Sequence, residues 1–355
     1  MANRHKIVVR FNQWYNPVMA ERLEREPDIE LKTVDRDGPD EGVWPDLGRA
    51  HAFQVSSAKD ELPRRWFVTP ELLARCPQLL VVSSNGAGYD TVDVPACTKS
   101  GVLVVNQAGG NAQSVAEHAI GLMLDVTRRI SENDRLLRSE RGFSREDIMG
   151  YEMSGKTLGI VGIGHIGSRV AKLARAFDMT VLAVDPYLTD EEIGRRGAAA
   201  VTKDQLLERS DFVSLHCPRD KDTMNMIDAG ALAKMKKDAI FVSTARGGIH
   251  NEAALLNALE SGHLRGAGLD VWDKEPPPLD HPLLKLKNVV ATFHTAGVTH
   301  EARMNMALFA AEQIVGILKG GRPPRLINPE VWPTYVVRFA EIMGSSVQTP
   351  SDDID

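Results

Sequence analysis

His294 follows an apolar, strand-like run at residues 288–293 and is followed at once by Thr295, Ala296 and Gly297. Small residues after a histidine leave room beside its ring. An imidazole, with a reference pKa of about 6.5, can give and take a proton near neutral pH. Alone, it reads more readily as a core histidine at a strand end. Two further residues change that reading. Glu275, in DKEPPP, offers a carboxylate that would favour the imidazolium and fix the ring's tautomer. Arg246, after FVSTA and before two glycines, offers a planar fork of donors at a strand's C-terminal end, matched to a carboxylate and its neighbouring carbonyl oxygen. Together the three could hold a carboxylate and move a proton at its neighbouring oxygen. Singly, Arg246 reads as a surface arginine and Glu275 as a solvated loop acid. The competing histidines fit less well. His118 lies in a helix and reads as a packing or domain-contact residue, and His250 as solvent-facing. His216, in SLHCP, reads as a wall near an adenine or as structure. None combines a paired acid with a gap of small residues.

A second constellation is the loop GIGHIG. Gly162, Gly164 and Gly167 follow the strand-like residues 156–161 and open a helix-like segment, 168–177, after which a strand at 180–184 ends in Asp185. In that setting the first glycine permits a tight turn, the second admits a pyrophosphate to the backbone, and the third packs helix on strand. The helix N-terminus would face the phosphates with unpaired N–H groups. Asp185 would accept hydrogen bonds from ribose hydroxyls and repel a 2′-phosphate. Pro186 and Tyr187 follow it where an arginine would serve NADP, so NAD is the expected cofactor.

These residues need a frame. The 355 residues suggest two domains, and 43% hydrophobic with 25% charged residues is ordinary for a soluble globular chain. A net charge of -6 gives no footprint for nucleic acid, and Lys234, Lys236 and Lys237 read as a solvated helix end. Cys76, Cys97 and Cys217 have no CxxC spacing, so neither a disulfide framework nor a metal site is expected. No apolar stretch has the length of a membrane span and no signal segment is visible, which points to the cytoplasm. Strands are expected at 5–10, 29–34, 79–83 and 102–106, with a helix at 17–25. Val115, Ala119, Leu122, Met123 and Val126 predict a long helix, with Ser114 as N-cap and Glu117 completing a capping box. The polar stretch 131–151 is expected to be an arm or a dimer contact. Further strands at 212–215, 240–243, 266–271 and 288–293 complete a second parallel layer. A helix at 301–318 stops at Lys319-Gly320-Gly321 and returns to the first domain. The fold class is α/β, with two Rossmann-like or flavodoxin-like doubly wound domains of parallel sheet and a cleft between them. Residues 1–110 and 300–335 form a discontinuous substrate domain, 111–299 a dinucleotide domain, and 336–355 a short, acidic, poorly ordered tail.

The blocks NGAGYDTVDV (85–94), NQAGGNAQSVAEHAIGLML (106–124), KTLGIVGIGHIG (156–167), FVSTARGGIHNEAAL (241–255), GAGLDVWDKEPP (266–277) and HTAG (294–297) resemble, in order and spacing, the D-isomer-specific 2-hydroxyacid dehydrogenases. That family includes phosphoglycerate dehydrogenase and glyoxylate or hydroxypyruvate reductases, and the likeness runs from about residue 69 to 328. The resemblance implies a triad of Arg246, Glu275 and His294, with Asp270 at the nicotinamide carboxamide and Gly86, Ala87 and Gly88 receiving a substrate carboxylate. It also places His165, Ile166, His216, Pro218, Thr223, Thr244 and Gly297 along the cofactor, and implies a homodimer through residues 112–150. The substrate would be a small 2-keto or 2-hydroxy acid. Two positions depart from the pattern: Phe293 stands where proline is usual, and Phe143 where many members have tryptophan. The insert KDELPRRWF (59–67) could shape the acid's side-chain pocket through Arg64, Arg65 or Trp66, though an exposed loop is the plainer reading. Only a short tail follows residue 330, where many phosphoglycerate dehydrogenases carry a regulatory domain, so phosphoglycerate is not singled out. Rival readings on the same scaffold are a formate or phosphite dehydrogenase and an NAD(H)-responsive binding protein of the corepressor kind. Glu275 argues against formate, whose enzymes pair the histidine with glutamine.

Overall fold

The structure is a computed structural model that describes residues 5–13 and 15–348. The chain divides into two compact units, one holding the chain up to Asn111 and from Thr299 onward, the other Ala112–Val298. Each is built on a parallel sheet whose inner strands are short, largely apolar runs buried on both faces, as crossover helices on either side require.

In the first unit the strands are β1 (Lys6–Phe11), β2 (Ile29–Val34), β3 (Ala52–Ser56), β4 (Val81–Asn85) and β5 (Leu103–Val105). Their order, β2-β1-β3-β4-β5, is the flavodoxin-like one. The helix His300–Leu318 lies on one face of this sheet, capped by Thr299, whose hydroxyl accepts from the N–H of Ala302. Its small Ala307 and Ala311 join Val8, Ala52 and Val81 in one apolar cluster, so helix and sheet approach closely.

In the second unit the strands are β6 (Thr157–Val161), β7 (Thr180–Val184), β8 (Ala199–Ala200), β9 (Phe212–Leu215), β10 (Ile240–Ser243), β11 (Gly266–Leu269) and β12 (Val289–Ala291). The order β12-β11-β10-β9-β6-β7-β8 reverses direction at β6, which lies between β9 and β7. A crevice at the carboxyl ends of the strands is where such sheets take ligands.

Several expectations need correction. The helix Ala112–Arg128 begins two residues before the expected cap, so Ser114 is a buried helical residue and not an N-cap. The helical spacing simply extends one half-turn further back. The polar stretch after it contains a helix, Ile130–Ser139, and a 3-10 turn, Glu146–Ile148. The tail is not disordered from residue 336: a helix runs over Trp332–Met343. Val331, Tyr335 and Phe339 recur every four residues and are buried beneath it with Ile314 and Leu318. Residues 349–355, including the acidic end, lie outside the described residues. Trp66 is core, not pocket. It is fully buried, its ring 5.5 Å from that of Phe11 and 5.6 Å from that of Trp44, and its indole N–H donates to the Arg36 carbonyl at 2.9 Å. Arg65 Nη2 donates to the Gly38 carbonyl at 3.0 Å. Lys234, Lys236 and Lys237 do lie exposed at a helix end, the first two also pairing with Asp204 at 2.6 Å and Asp211 at 3.0 Å. Among the described residues no helix is long and apolar enough to cross a membrane.

Candidate functional site

The second unit holds two neighbouring constructions, a glycine turn after β6 and a cluster at the ends of β10, β11 and β12. The glycines differ in what demands them. Gly162 has φ +86°, and a Cβ there would lie 2.8 Å from the Cys217 nitrogen. A Cβ at Gly167 would lie 2.2 Å from the Gly162 oxygen. At Gly164 a Cβ would meet nothing within 4 Å, and this residue caps the helix His165–Ala176. The protein's own packing therefore requires the first and third glycines but not the second. Open space before a helix N-terminus is what a pyrophosphate needs, so the turn fits a dinucleotide.

Asp185, at the end of β7, braces this turn. Its Oδ2 accepts from the N–H of Ile163 at 3.0 Å and its Oδ1 from that of Tyr187 at 3.1 Å. Each carboxylate oxygen has a second lone pair with which to accept a ribose hydroxyl. Of the other residues expected along the cofactor, His165 opens the helix, and Ile166 packs against the unit's apolar core. Nε2 of His216 lies 2.9 Å from Ser214 Oγ, and Nδ1 lies 3.5 Å from Thr244 Oγ1. Burial pushes the His216 imidazole down to about 3, so it is neutral. Thr223 closes its own loop, donating to the carbonyl of Pro218 at 2.8 Å. Gly297 ends the turn after β12.

Arg246, Asp270 and His294 follow β10, β11 and β12, three neighbouring strands, and Glu275 comes from the turn after Asp270. Nδ1 of His294 lies 2.8 Å from Oε2 of Glu275. The other oxygen, Oε1, accepts from the Trp272 N–H at 3.1 Å. The bond to Glu275 raises the His294 imidazole above its ordinary value, against the opposing effects of burial and the Arg246 charge. Burial alone would raise the Glu275 carboxyl. The bond to His294, that ring's charge, the Trp272 N–H and Arg246 outweigh it and hold the carboxyl low. The pair thus favours imidazolium and carboxylate together, with Nε2 left as the nitrogen that can meet a substrate.

His294 has φ +45°, a left-handed conformation that a non-glycine residue adopts only when its surroundings impose it. Asp270 imposes it. Its carbonyl accepts the His294 N–H at 2.8 Å. Its fully buried carboxylate accepts from Thr292 Oγ1 at 2.6 Å and from the N–H groups of Thr295 and Ala296, each at 2.9 Å. Such a buried charge is tolerable because it is fully hydrogen-bonded. Trp272 adds a second brace, its indole N–H donating to the Thr292 carbonyl at 3.1 Å. The Arg246 loop is seated on the same turn: a Cβ at Gly247 would lie 1.9 Å from the Trp272 oxygen, and the Gly248 N–H donates to Asp273 Oδ1 at 2.6 Å. Arg246 itself bonds its neighbour's carbonyl, Ala245, through Nη1 at 2.8 Å.

Sequence reasoning did not find the brace behind this turn. Glu252 accepts the Asp273 N–H at 2.8 Å and pairs with His281 at 3.1 Å. A second carboxylate–histidine pair thus grips the residue after Trp272, as Glu275 grips Trp272. One histidine also sits elsewhere than expected. His250 is 1% exposed, not solvent-facing, with its ring 5.3 Å from that of Phe241, and burial pushes it down to about 4. It follows the apolar Ile249, and the chain turns inward there. His118 lies in the helix Ala112–Arg128 as expected, with Nε2 3.0 Å from Thr292 Oγ1.

In the first unit, the carbonyls of Gly86, Ala87 and Gly88 accept from the Gln107 N–H, Asn106 Nδ2 and Ser84 Oγ at 2.7, 2.7 and 2.8 Å. The C=O and N–H of a trans peptide point oppositely. The amides that follow these carbonyls are therefore turned away from those donors.

Doubly wound parallel sheets, a dinucleotide turn at the strand reversal and a histidine–carboxylate pair at the strand ends define a dinucleotide-linked α/β protein. Residues 120–296 match the model of the D-isomer specific 2-hydroxyacid dehydrogenase, NAD binding domain. A D-3-phosphoglycerate dehydrogenase of Archaeoglobus fulgidus is 43% identical over 78% of this chain and 54% of its own length. A glyoxylate reductase of Korarchaeum cryptofilum is 40% identical over 74% of this chain and 80% of its own. The crystal structure of a glyoxylate reductase from Paecilomyes thermophila superposes with a TM-score of 0.80 at 28% identity, covering 92% of this chain and 99% of that one. The chain belongs to the D-isomer specific 2-hydroxyacid dehydrogenase family of NAD-linked oxidoreductases, and its second unit is the NAD-binding domain. It spans about half the length of the phosphoglycerate dehydrogenase it matches.

Proposed function

We propose that the protein interconverts a D-2-hydroxy acid and the corresponding 2-keto acid, with NAD(H) as the redox partner. When bound, the nicotinamide supplies or takes the hydride. The chain's own residues do the rest. His294, charged through its bond to Glu275, gives a proton from Nε2 to the substrate oxygen during reduction and takes it back as the neutral imidazole during oxidation. Arg246 holds the substrate carboxylate and the neighbouring oxygen, and its permanent charge stabilises the alkoxide as it develops. Residues 86–88 receive the carboxylate through the turned-out amides of Ala87 and Gly88, the Gly86 N–H being already given to Gln107 Oε1 at 2.7 Å, and residues 1–110 with 300–335 serve as the substrate domain. Asp185 favours NAD over NADP. We take the protein to work as a cytoplasmic homodimer. Ile130, Leu137, Met149 and Tyr151 are 55%, 64%, 66% and 52% exposed, which supports a contact through residues 112–150.

The observation that carries this reading is the 2.8 Å pair of His294 and Glu275 with its raised imidazole. The test is NADH consumption with glyoxylate, hydroxypyruvate, pyruvate, phenylpyruvate and phosphohydroxypyruvate, with NADPH in parallel. Turnover with NADH is expected on at least one of them. In the variant His294→Ala turnover should fall by orders of magnitude with NADH affinity unchanged. No turnover by the parent protein while NADH still binds would refute the proposal.

A further inference from the structure

We propose, resting on that reading, that His118 is a positioning residue for the His294 turn, acting through Thr292 and Asp270. His118 stands in the helix Ala112–Arg128, far from the turn in sequence. Its Nε2 lies 3.0 Å from Thr292 Oγ1 and 3.6 Å from Asp270 Oδ1. Thr292 Oγ1 in turn lies 2.6 Å from Asp270 Oδ1.

Counting protons fixes the direction of this chain. A hydroxyl has one hydrogen, and a carboxylate only accepts. Thr292 therefore spends its hydrogen on Asp270, and its oxygen can meet His118 only as an acceptor. The Nε2 of His118 must then carry the proton. The relay runs from the His118 Nε2–H to the Thr292 hydroxyl and on to the Asp270 carboxylate.

Its far end is the anchor of the turn. The carboxylate that accepts from the Thr292 hydroxyl also accepts from the N–H groups of Thr295 and Ala296, which directly follow His294 and must stay fixed for it to keep its left-handed backbone. A hydroxyl receiving a bond at its oxygen is held in the rotamer that donates to Asp270, and aligned bonds strengthen one another. His118 thus locks the orientation of Thr292 from the helix side. Packing alone would be met by any ring of similar size, whereas this role needs a donor where Nε2 stands. Glutamine offers one at the same reach, and phenylalanine does not.

Two measurements decide it. On the 15N-histidine-labelled full chain without cofactor, the neutral ring of His118 should be the Nε2–H tautomer, and the Nδ1–H tautomer would overturn the relay. In kinetics with the best 2-keto acid, His118→Phe should lower kcat by about ten- to a hundredfold, as loss of a fraction of an ångström in alignment does. KM for NADH and the thermal midpoint should hardly move, and His118→Gln should recover most of the rate. Combined with Thr292→Val, His118→Phe should cost nothing further, because members of one relay fail together. Wild-type kcat in His118→Phe, or losses that simply add, would overturn the proposal. Should the parent protein reduce no 2-keto acid, the activity proposed above fails, while amide exchange still tests the relay. Thr295 and Ala296 should exchange faster in His118→Phe and recover in His118→Gln. Unchanged exchange would overturn the relay.

Discussion

Asparagine in place of Asp270 changes one atom of a fully buried side chain, and the structure fixes what that costs. With the amide oxygen at the Oδ1 position, the bonds from Thr292 and Thr295 survive, but the NH2 group then faces the Ala296 N–H, donor against donor. The flipped amide loses two bonds instead of one and is the worse choice. The better arrangement leaves two buried donors unsatisfied, the Ala296 N–H and the asparagine NH2, at about 1–3 kcal/mol apiece and so about 2–6 kcal/mol together. For a unit of this size, about 2–4 °C of thermal midpoint goes with each kcal/mol, so a fall of roughly 4–24 °C is expected. Scanning calorimetry without cofactor reads it directly, free of any contact the residue makes with nicotinamide. Turnover should fall too, since the backbone of His294 loses part of its anchor. A midpoint within a degree of the parent, with turnover intact, would show that the carboxylate does not hold the turn.

Three further outcomes are expected. In Glu275→Gln the imidazole of His294 loses the partner that raises it. For reduction, which needs the charged ring, activity is present below the His294 value and is lost as pH rises through it. The variant's falling limb should therefore move to lower pH in a kcat/KM profile, and an unmoved limb would count against the pair. In Gly247→Ala the new Cβ cannot stay 1.9 Å from the Trp272 oxygen, so the Arg246 loop must shift. Displacement of about 1 Å costs about a hundredfold in rate, and steady-state kcat with a measured fold content checks it. Phe339→Ala empties a buried site under the last helix and should cost about 3–5 kcal/mol in a denaturant titration. A loss within error of zero would mean that the helix contributes nothing to the core.

Much of the fold is legible because most strands of both sheets are short, largely apolar runs, several of them closed by glycine or aspartate. The second unit's strands at 212–215 and 240–243 match the expected runs residue for residue. Errors arose where one local cue masked a longer pattern. Ser114 invited a cap, although the helical spacing continued to Ala112. The acidic end of the chain drew attention from Val331, Tyr335 and Phe339, whose spacing already described a buried stripe. Glu275 and His294 are separated by 19 residues and face each other because β11 and β12 are neighbours. The braces were not legible. His118 and Thr292 are 174 residues apart, and Glu252 and His281 are 29 apart, with no local period to announce either contact. Their meeting depends on how a helix crosses three strands, which is a property of packing.

The three glycines of the dinucleotide turn also separate two kinds of constraint that usually travel together. Substitution at Gly162 or Gly167 would be felt by the empty protein, through backbone strain or collision. Gly164 has clear space where a side chain would go, so alanine there would collide with nothing of the protein's own. The harm would fall chiefly on the guest molecule. Surveys that rank variants by expression or melting temperature would therefore rate Gly164→Ala as milder than a change at Gly162 or Gly167, and only a screen carrying NADH would see its main effect.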